Sequence, residues 1–155
     1  VRIRGVKASR SRAATAKHMV PATAPMGEFE FILDSGASAH CVTPAVSLHP
    51  AEVDVDSRMI VASGVALTNP YVGCIAVRGG LGGIRLSNVF QHPSMTANLL
   101  SVGCLSEAGY RTVFDQHSAE AMNAAGKVVM RATKVGMVYQ LTLATELVHR
   151  RPKLG

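Results

Sequence analysis

The chain has 155 residues, 48% hydrophobic but only 5% aromatic, with no Trp and a formal net charge of +6. That length suits one domain with a core of its own and is too short for two complete lobes. With so few aromatics the core must come from Val, Ile, Leu, Met and Ala, and no apolar run approaches the ~20 residues of a membrane span, so a protein without membrane contact is expected.

The charge is uneven. Arg2, Arg4, Lys7, Arg10, Arg12 and Lys17 all precede the first acid, Glu28. A tail of this kind, residues 1–17, can contact nucleic acid electrostatically and without sequence preference, although a solvated linker is the simpler reading. Its Arg- and Ser-rich, acid-poor composition also fits an organellar transit peptide, but the first residue is Val, which suggests a fragment of something longer. Cys41, Cys74 and Cys104 cannot all pair, and no Asn-x-Ser/Thr site occurs, so a reducing intracellular, cytoplasmic setting is expected. These cysteines and His40 lack any Cys-x-x-Cys or His-x-x-x-His spacing. No metal or other cofactor is expected, and the thiols read as small buried hydrophobes.

Residues 1–26 carry Pro21 and Pro25 and no apolar period, so they read as a basic flexible linker. From Phe29 the pattern changes to period two, with Phe29, Phe31 and Leu33 on one face of a strand that ends at Asp34. Asp34-Ser35-Gly36-Ala37 follows. A carboxylate that must meet a second carboxylate needs a sharp turn, a small neighbour and hydrogen-bond donors, which Gly36, Ala37, Ser35 and the backbone N–H groups around them can supply. The plain alternative is an Asp-Ser-Gly surface turn. Gly36-Ala37-Ser38-Ala39-His40 falls short of a Gly-x-Ser-x-Gly nucleophile elbow, because His40 replaces the last glycine and no βαβ pattern surrounds it.

Val53 to Val61 reads as an exposed strand with Asp54 and Asp56 facing solvent, and Ala62-Ser63-Gly64-Val65-Ala66 as a hairpin tip. Tyr71 to Val77 and Ile84 to Phe90 form strands around a turn at Gly79 to Gly83, a glycine cluster that lacks the Gly-Lys-Ser/Thr of a phosphate loop. Leu99, Val102, Leu105 and Ala108 recur at helical spacing, with Gly109 as the C-terminal cap, so one short helix is expected near 99–108. Strands return at Arg111 to Phe114, at Val128 to Met130 after a turn at Ala125-Gly126, and at Val138 to Leu141 after Gly136. The basic end, Arg150 to Lys153, is expected to fray.

Asp34 to Ser38 with His40, then Val89, Pro93 and Asn98-Leu99-Leu100-Ser101-Val102 with Leu105 and Gly109, resemble in order and spacing the protease region of copia-type retrotransposon polyproteins. Tyr110 to Leu141 resembles the pre-integrase segment that follows it there, and Val148 to Arg151 the start of the stretch before the integrase zinc module. The resemblance implies an all-β, retropepsin-like closed β-barrel over 27–109 with a strand-rich extension over 110–155. It implies an aspartic endopeptidase that processes its own polyprotein, in the cytoplasm or in virus-like particles. Asp34 is then the catalytic acid, supported by Ser35, Gly36 and Ala37. Ile60, Val61, Ala62, Ser63, Gly64 and Val65 are the substrate-binding flap, and Leu99, Leu100 and Ser101 the segment behind the catalytic loop. Relatives with a Gly-Arg-Asp/Asn sequence at that segment have no counterpart here, and His40 reads as structural.

Aspartic proteolysis needs two carboxylates, and only one Asp-Ser-Gly is present, so a homodimer is the implied partner arrangement, with polypeptide as substrate. The competing expectation is a catalytically silent protease-like dimerisation or scaffold module. Cys41, where the family often has Met, motivates it.

Overall fold

A computed structural model describes residues 2–4, 25–51, 58–60 and 64–147. The strand that leads to Asp34 is central to it. β2 (Met26–Asp34) turns Phe31 and Leu33 into the core, 0% and 4% exposed, while Ile32 and Asp34 stay half-buried on the other face. Full burial of a side chain such as Phe31 contributes about 1.5–3 kcal/mol, so this alternation fixes which face Asp34 occupies.

The remaining elements are β1 (Arg2–Arg4), β3 (Cys41–Val42), β4 (His49–Pro50), β5 (Arg58–Ile60), β6 (Ala66–Leu67), β7 (Tyr71–Gly79), β8 (Gly82–Gln91) and β9 (Asn98–Ser101). After them come α1 (Val102–Glu107), β10 (Arg111–Phe114), β11 (Ser118–Met122), β12 (Val128–Val135) and β13 (Val138–Glu146). Ten strands form one sheet in the order β10-β11-β12-β13-β2-β9-β3-β8-β7-β4. A further pairing of β13 with β7, Ala144 to Arg78 and Thr145 to Val77, returns the run β13-β2-β9-β3-β8-β7 to its start. The architecture is all-β. Phe31, Leu33, Val42, Val46, Leu48, Ile75, Val77, Leu86, Leu100, Leu105, Leu141 and Leu143 fill it in one contiguous cluster.

The strands after residue 110 belong to this same sheet. β13 lies antiparallel along the whole of β2, from Tyr139 opposite Leu33 to Glu146 opposite Met26. Its Leu141 and Leu143 pack with Phe31 in the shared core.

The helix expected near 99–108 is shorter than the apolar spacing implies. Residues Asn98–Ser101 pair in parallel with β2, and only Val102–Glu107 are helical. Leu100 is fully buried while Leu99 is half-buried, the alternation of a strand, and within the helix only Leu105 is buried. The open edge of β2 satisfies this backbone better than a helical turn would. Gly109 caps as expected, at φ +95°, with its N–H donating to Ser106 O and that of Tyr110 to Leu105 O.

β5 and β6 pair as a hairpin, Met59 to Leu67 and Ile60 to Ala66, with Gly64 at φ +84° in the turn between them. β1 pairs outside β5, so residues 2–4 of the expected linker 1–26 carry regular structure. The rest of the stretch 1–17 expected to contact nucleic acid, the acidic pair Asp54 and Asp56, and the basic end 150–153 lie outside the described residues.

Candidate active site

Asp34 is the last residue of β2, opposite Ser101 of β9. The Gly36 N–H donates to Asp34 Oδ1 at 2.7 Å, which fixes the carboxylate against its own loop. Gly36 is needed for space. Its φ is not positive, but a Cβ there would stand 3.2 Å from Asp34 Oδ1, closer than most neighbours tolerate. Ser35 is exposed and Ala37 is buried at 4%.

Ser101 pins this loop from behind. Its hydroxyl donates to Ala37 O at 2.7 Å and accepts from the Cys104 N–H at 3.1 Å, which makes Ser101 both the loop anchor and the N-cap of α1. Its own N–H donates to His40 Nδ1 at 3.0 Å. His40 is 4% exposed, and burial pulls its pKa down to about 4. The His40 carbonyl accepts from the Phe90 N–H at 2.9 Å, so the loop is tied to β8 as well.

The sequence resemblance included Asn98 but did not show what it does. Asn98 is 7% exposed, donates to Glu30 O at 3.0 Å and accepts the Thr43 N–H at 2.8 Å, joining β2 to the turn after β3. Gln91 works beside it, donating to Thr43 O and Val46 O. An amide in an otherwise apolar stretch is the one sequence signal that points to either residue.

The cysteines are free thiols. Cys41 is fully buried, and burial pushes its pKa up to about 12, so it remains a neutral thiol. Among the described residues no three His, Cys, Asp or Glu side chains gather as a metal site.

In front of Asp34 lies an open groove of about 420 Å³. Ile32, Leu33, Asp34, Ser35, Leu99, Phe114, Met137, Val138 and Tyr139 line it. Phe114 and Tyr139 meet edge to face at 4.9 Å, and the Tyr139 hydroxyl donates to Asp115 O at 2.6 Å, which fixes the Tyr139 ring. The strands after Gly109 therefore reach the candidate acid, which the sequence divided from them.

Of the residues expected to form a flap, Val61, Ala62 and Ser63 lie outside the described residues, Ile60 ends β5, and Gly64 and Val65 are exposed. The base of that hairpin is tied to the site. Leu67 packs with Leu99 against a small cluster of Ala39, Cys41, Phe90 and Met95, so hairpin, loop and groove share one apolar support.

A barrel-type all-β domain that presents an acid from the end of a central strand is what the fold and site define. The sequence model of the Pol polyprotein beta-barrel domain family matches residues 31–110, from within β2 to just past α1, and the chain belongs to that family. Comparison with curated proteins and with solved structures finds no match. Among the described residues no helix is long and apolar enough to cross a membrane.

Proposed function

We propose that this chain is an aspartic endopeptidase of the copia type, active as a homodimer, that cuts the polyprotein it belongs to. The observation that carries the reading is the Asp34 carboxylate. It is held at 2.7 Å by the Gly36 N–H, on a loop clamped by Ser101 and His40, at the edge of an open groove.

Two copies bring two Asp34 side chains to a two-fold axis, where like charges at close range share one proton. The ionised carboxylate takes a proton from a water molecule as its oxygen attacks the peptide carbonyl carbon. The protonated one gives its proton to the carbonyl oxygen, forming a tetrahedral diol. Collapse of the diol breaks the C–N bond as the carboxyl that took the water's proton passes it to the amide nitrogen and the other carboxylate takes a proton from a diol hydroxyl, so the acid and amine leave and the dyad again holds one proton. Ser101 and His40 act through the loop as positioning residues.

Incubating the chain with peptides that span its own polyprotein junctions tests this. Cleavage is expected from the native protein and at least ~10³-fold less from Asp34→Asn, since in a homodimer the substitution removes both acids of the catalytic pair. A stable native dimer that cuts no junction, or an Asp34→Asn variant that cuts equally well, would leave the scaffold reading in possession.

A further inference from the structure

We infer that Arg2, Arg4 and Arg58, which the pairing of β1 with β5 brings to one face of the three-stranded sheet, hold the phosphate backbone of a nucleic acid without reading its bases. The inference goes beyond the endopeptidase reading and stands or falls without it.

The register sets the two faces of this sheet. Ile3, Met59 and Leu67 are cross-strand partners on one face. On the other, Arg2, Ile60 and Ala66 form one row, and Arg4 stands opposite Arg58 in the next. Leu67 packs against the cluster of Ala39, Cys41, Phe90 and Met95, so its face of the sheet is the one laid on the domain. The face with the three arginines is turned away. The strands themselves, Arg-Ile-Arg, Arg-Met-Ile and Ala-Leu, hold no acidic residue.

Like charges directly opposite each other on neighbouring strands weaken the pairing. An anion between Arg4 and Arg58 reverses the sign, because a guanidinium offers a planar fork of donors that matches phosphate oxygens. Arg2 stands about 7 Å along the strand from Arg4, and Lys7, Arg10, Arg12 and Lys17 follow in the sequence before any acid. Cations in such a run suit a partner that carries a negative charge on every unit. An acidic protein surface would also bring apolar side chains, and the arginine face offers them only Ile60 and Ala66 among the paired residues. A lipid surface calls for an aromatic or leucine side chain to insert, and that face has none. The net charge of +6 completes the electrostatic case.

Fluorescence anisotropy of a short labelled oligouridylate, titrated with the full chain over a range of salt, tests this. The native protein should bind, and log Kd should rise with log salt by a slope that includes about 0.7 for each arginine contact to a single strand. Arg58→Gln should weaken binding ~10-fold and lower the slope by about 0.7, and Arg58→Lys should recover part of the loss. Arg4→Gln, from the other strand of the pair, should behave as Arg58→Gln does. Both substitutions relieve a like-charge opposition, so urea unfolding should show no loss of stability beside the loss of binding. Arg131→Gln removes an arginine already paired with Glu120 at 2.7 Å and should bind as the native chain does. Native affinity in Arg58→Gln, with binding lost only when Lys7, Arg10 and Arg12 are together changed to Gln, would overturn the face and leave contact through residues 5–17 alone. Equal losses in Arg58→Gln and Arg131→Gln would reduce the effect to net charge and overturn it too. So would tighter binding of polyglutamate or of phosphatidylserine vesicles than of the oligouridylate, or a preference of more than ~10-fold between oligouridylate and oligoadenylate, which phosphate contacts do not give.

Discussion

His40 accepts the Ser101 N–H on Nδ1, so its one proton sits on Nε2, and a second proton could be added only on the nitrogen that the N–H already faces. Burial lowers its pKa from 6.5 to about 4. Above pH 6.5 neither the folded nor the unfolded chain protonates this ring, and the stabilisation is complete. As the pH falls from 6.5 towards 4 the unfolded chain takes up a proton that the folded chain refuses, so stability drops by on the order of 3 kcal/mol and then levels off. Urea unfolding of the native chain at pH 7 and pH 4.5 should show that drop, and His40→Leu should flatten it at a lower overall stability. Equal pH slopes in the two proteins would place the effect at another group. Gly36 makes a different prediction. Its substitution by Ala puts a carbon 3.2 Å from Asp34 Oδ1, so cleavage should fall by about tenfold or more while the unfolding midpoint barely moves. A variant that unfolds early but cuts normally per folded molecule would contradict this. Ser101→Ala combines both effects. It strips a partner from Ala37 O and from the Cys104 N–H, and should cost about 1–2 kcal/mol along with activity.

Among the elements, those with local signals were legible in the sequence. The alternation of Phe29, Phe31 and Leu33 located β2, the glycines around Leu81 located the β7–β8 turn, and Gly109 located the end of α1. Where partners far along the chain decide the outcome, the sequence misled or stayed silent. Leu99 has helical spacing with Val102 and Leu105, yet β2 recruits it together with Leu100 as a parallel strand. β11, Ser-Ala-Glu-Ala-Met, has little strand propensity of its own. It forms because Ala119 and Ala121, 0% and 1% exposed, are small enough to lie under the core between β10 and β12. β13 also carries a residue that its place in the sheet leaves unsatisfied. Thr145, fully buried where β13 meets both β2 and β7, has no hydrogen-bond partner for its hydroxyl among the described residues. Thr145→Val keeps the shape and removes the buried hydroxyl, so it should raise stability by about 1 kcal/mol in denaturant unfolding. A loss of similar size would show that the hydroxyl is bonded after all.

At the scale of the whole molecule, the family match ends at residue 110 while the sheet does not. β13 covers one edge of β2, closes the strand run onto β7, joins the core through Leu141 and Leu143, and brings Tyr139 to the groove beside Asp34. The His49–Glu146 pair, 2.8 Å apart, ties the far end of the same strand to β4. A chain cut after Gly109 therefore loses a central strand, and should give an unfolded amide spectrum by NMR; a dispersed one would show that the first part stands alone. The account as a whole depends on two identical chains sharing one site, and mixing tests that most directly. Native chain and Asp34→Asn, combined in equal amounts and allowed to exchange subunits, should retain about a quarter of the cleavage of the undiluted native protein, because only dimers with both acids are active. Retention of half, the signature of chains that cut independently, would contradict it.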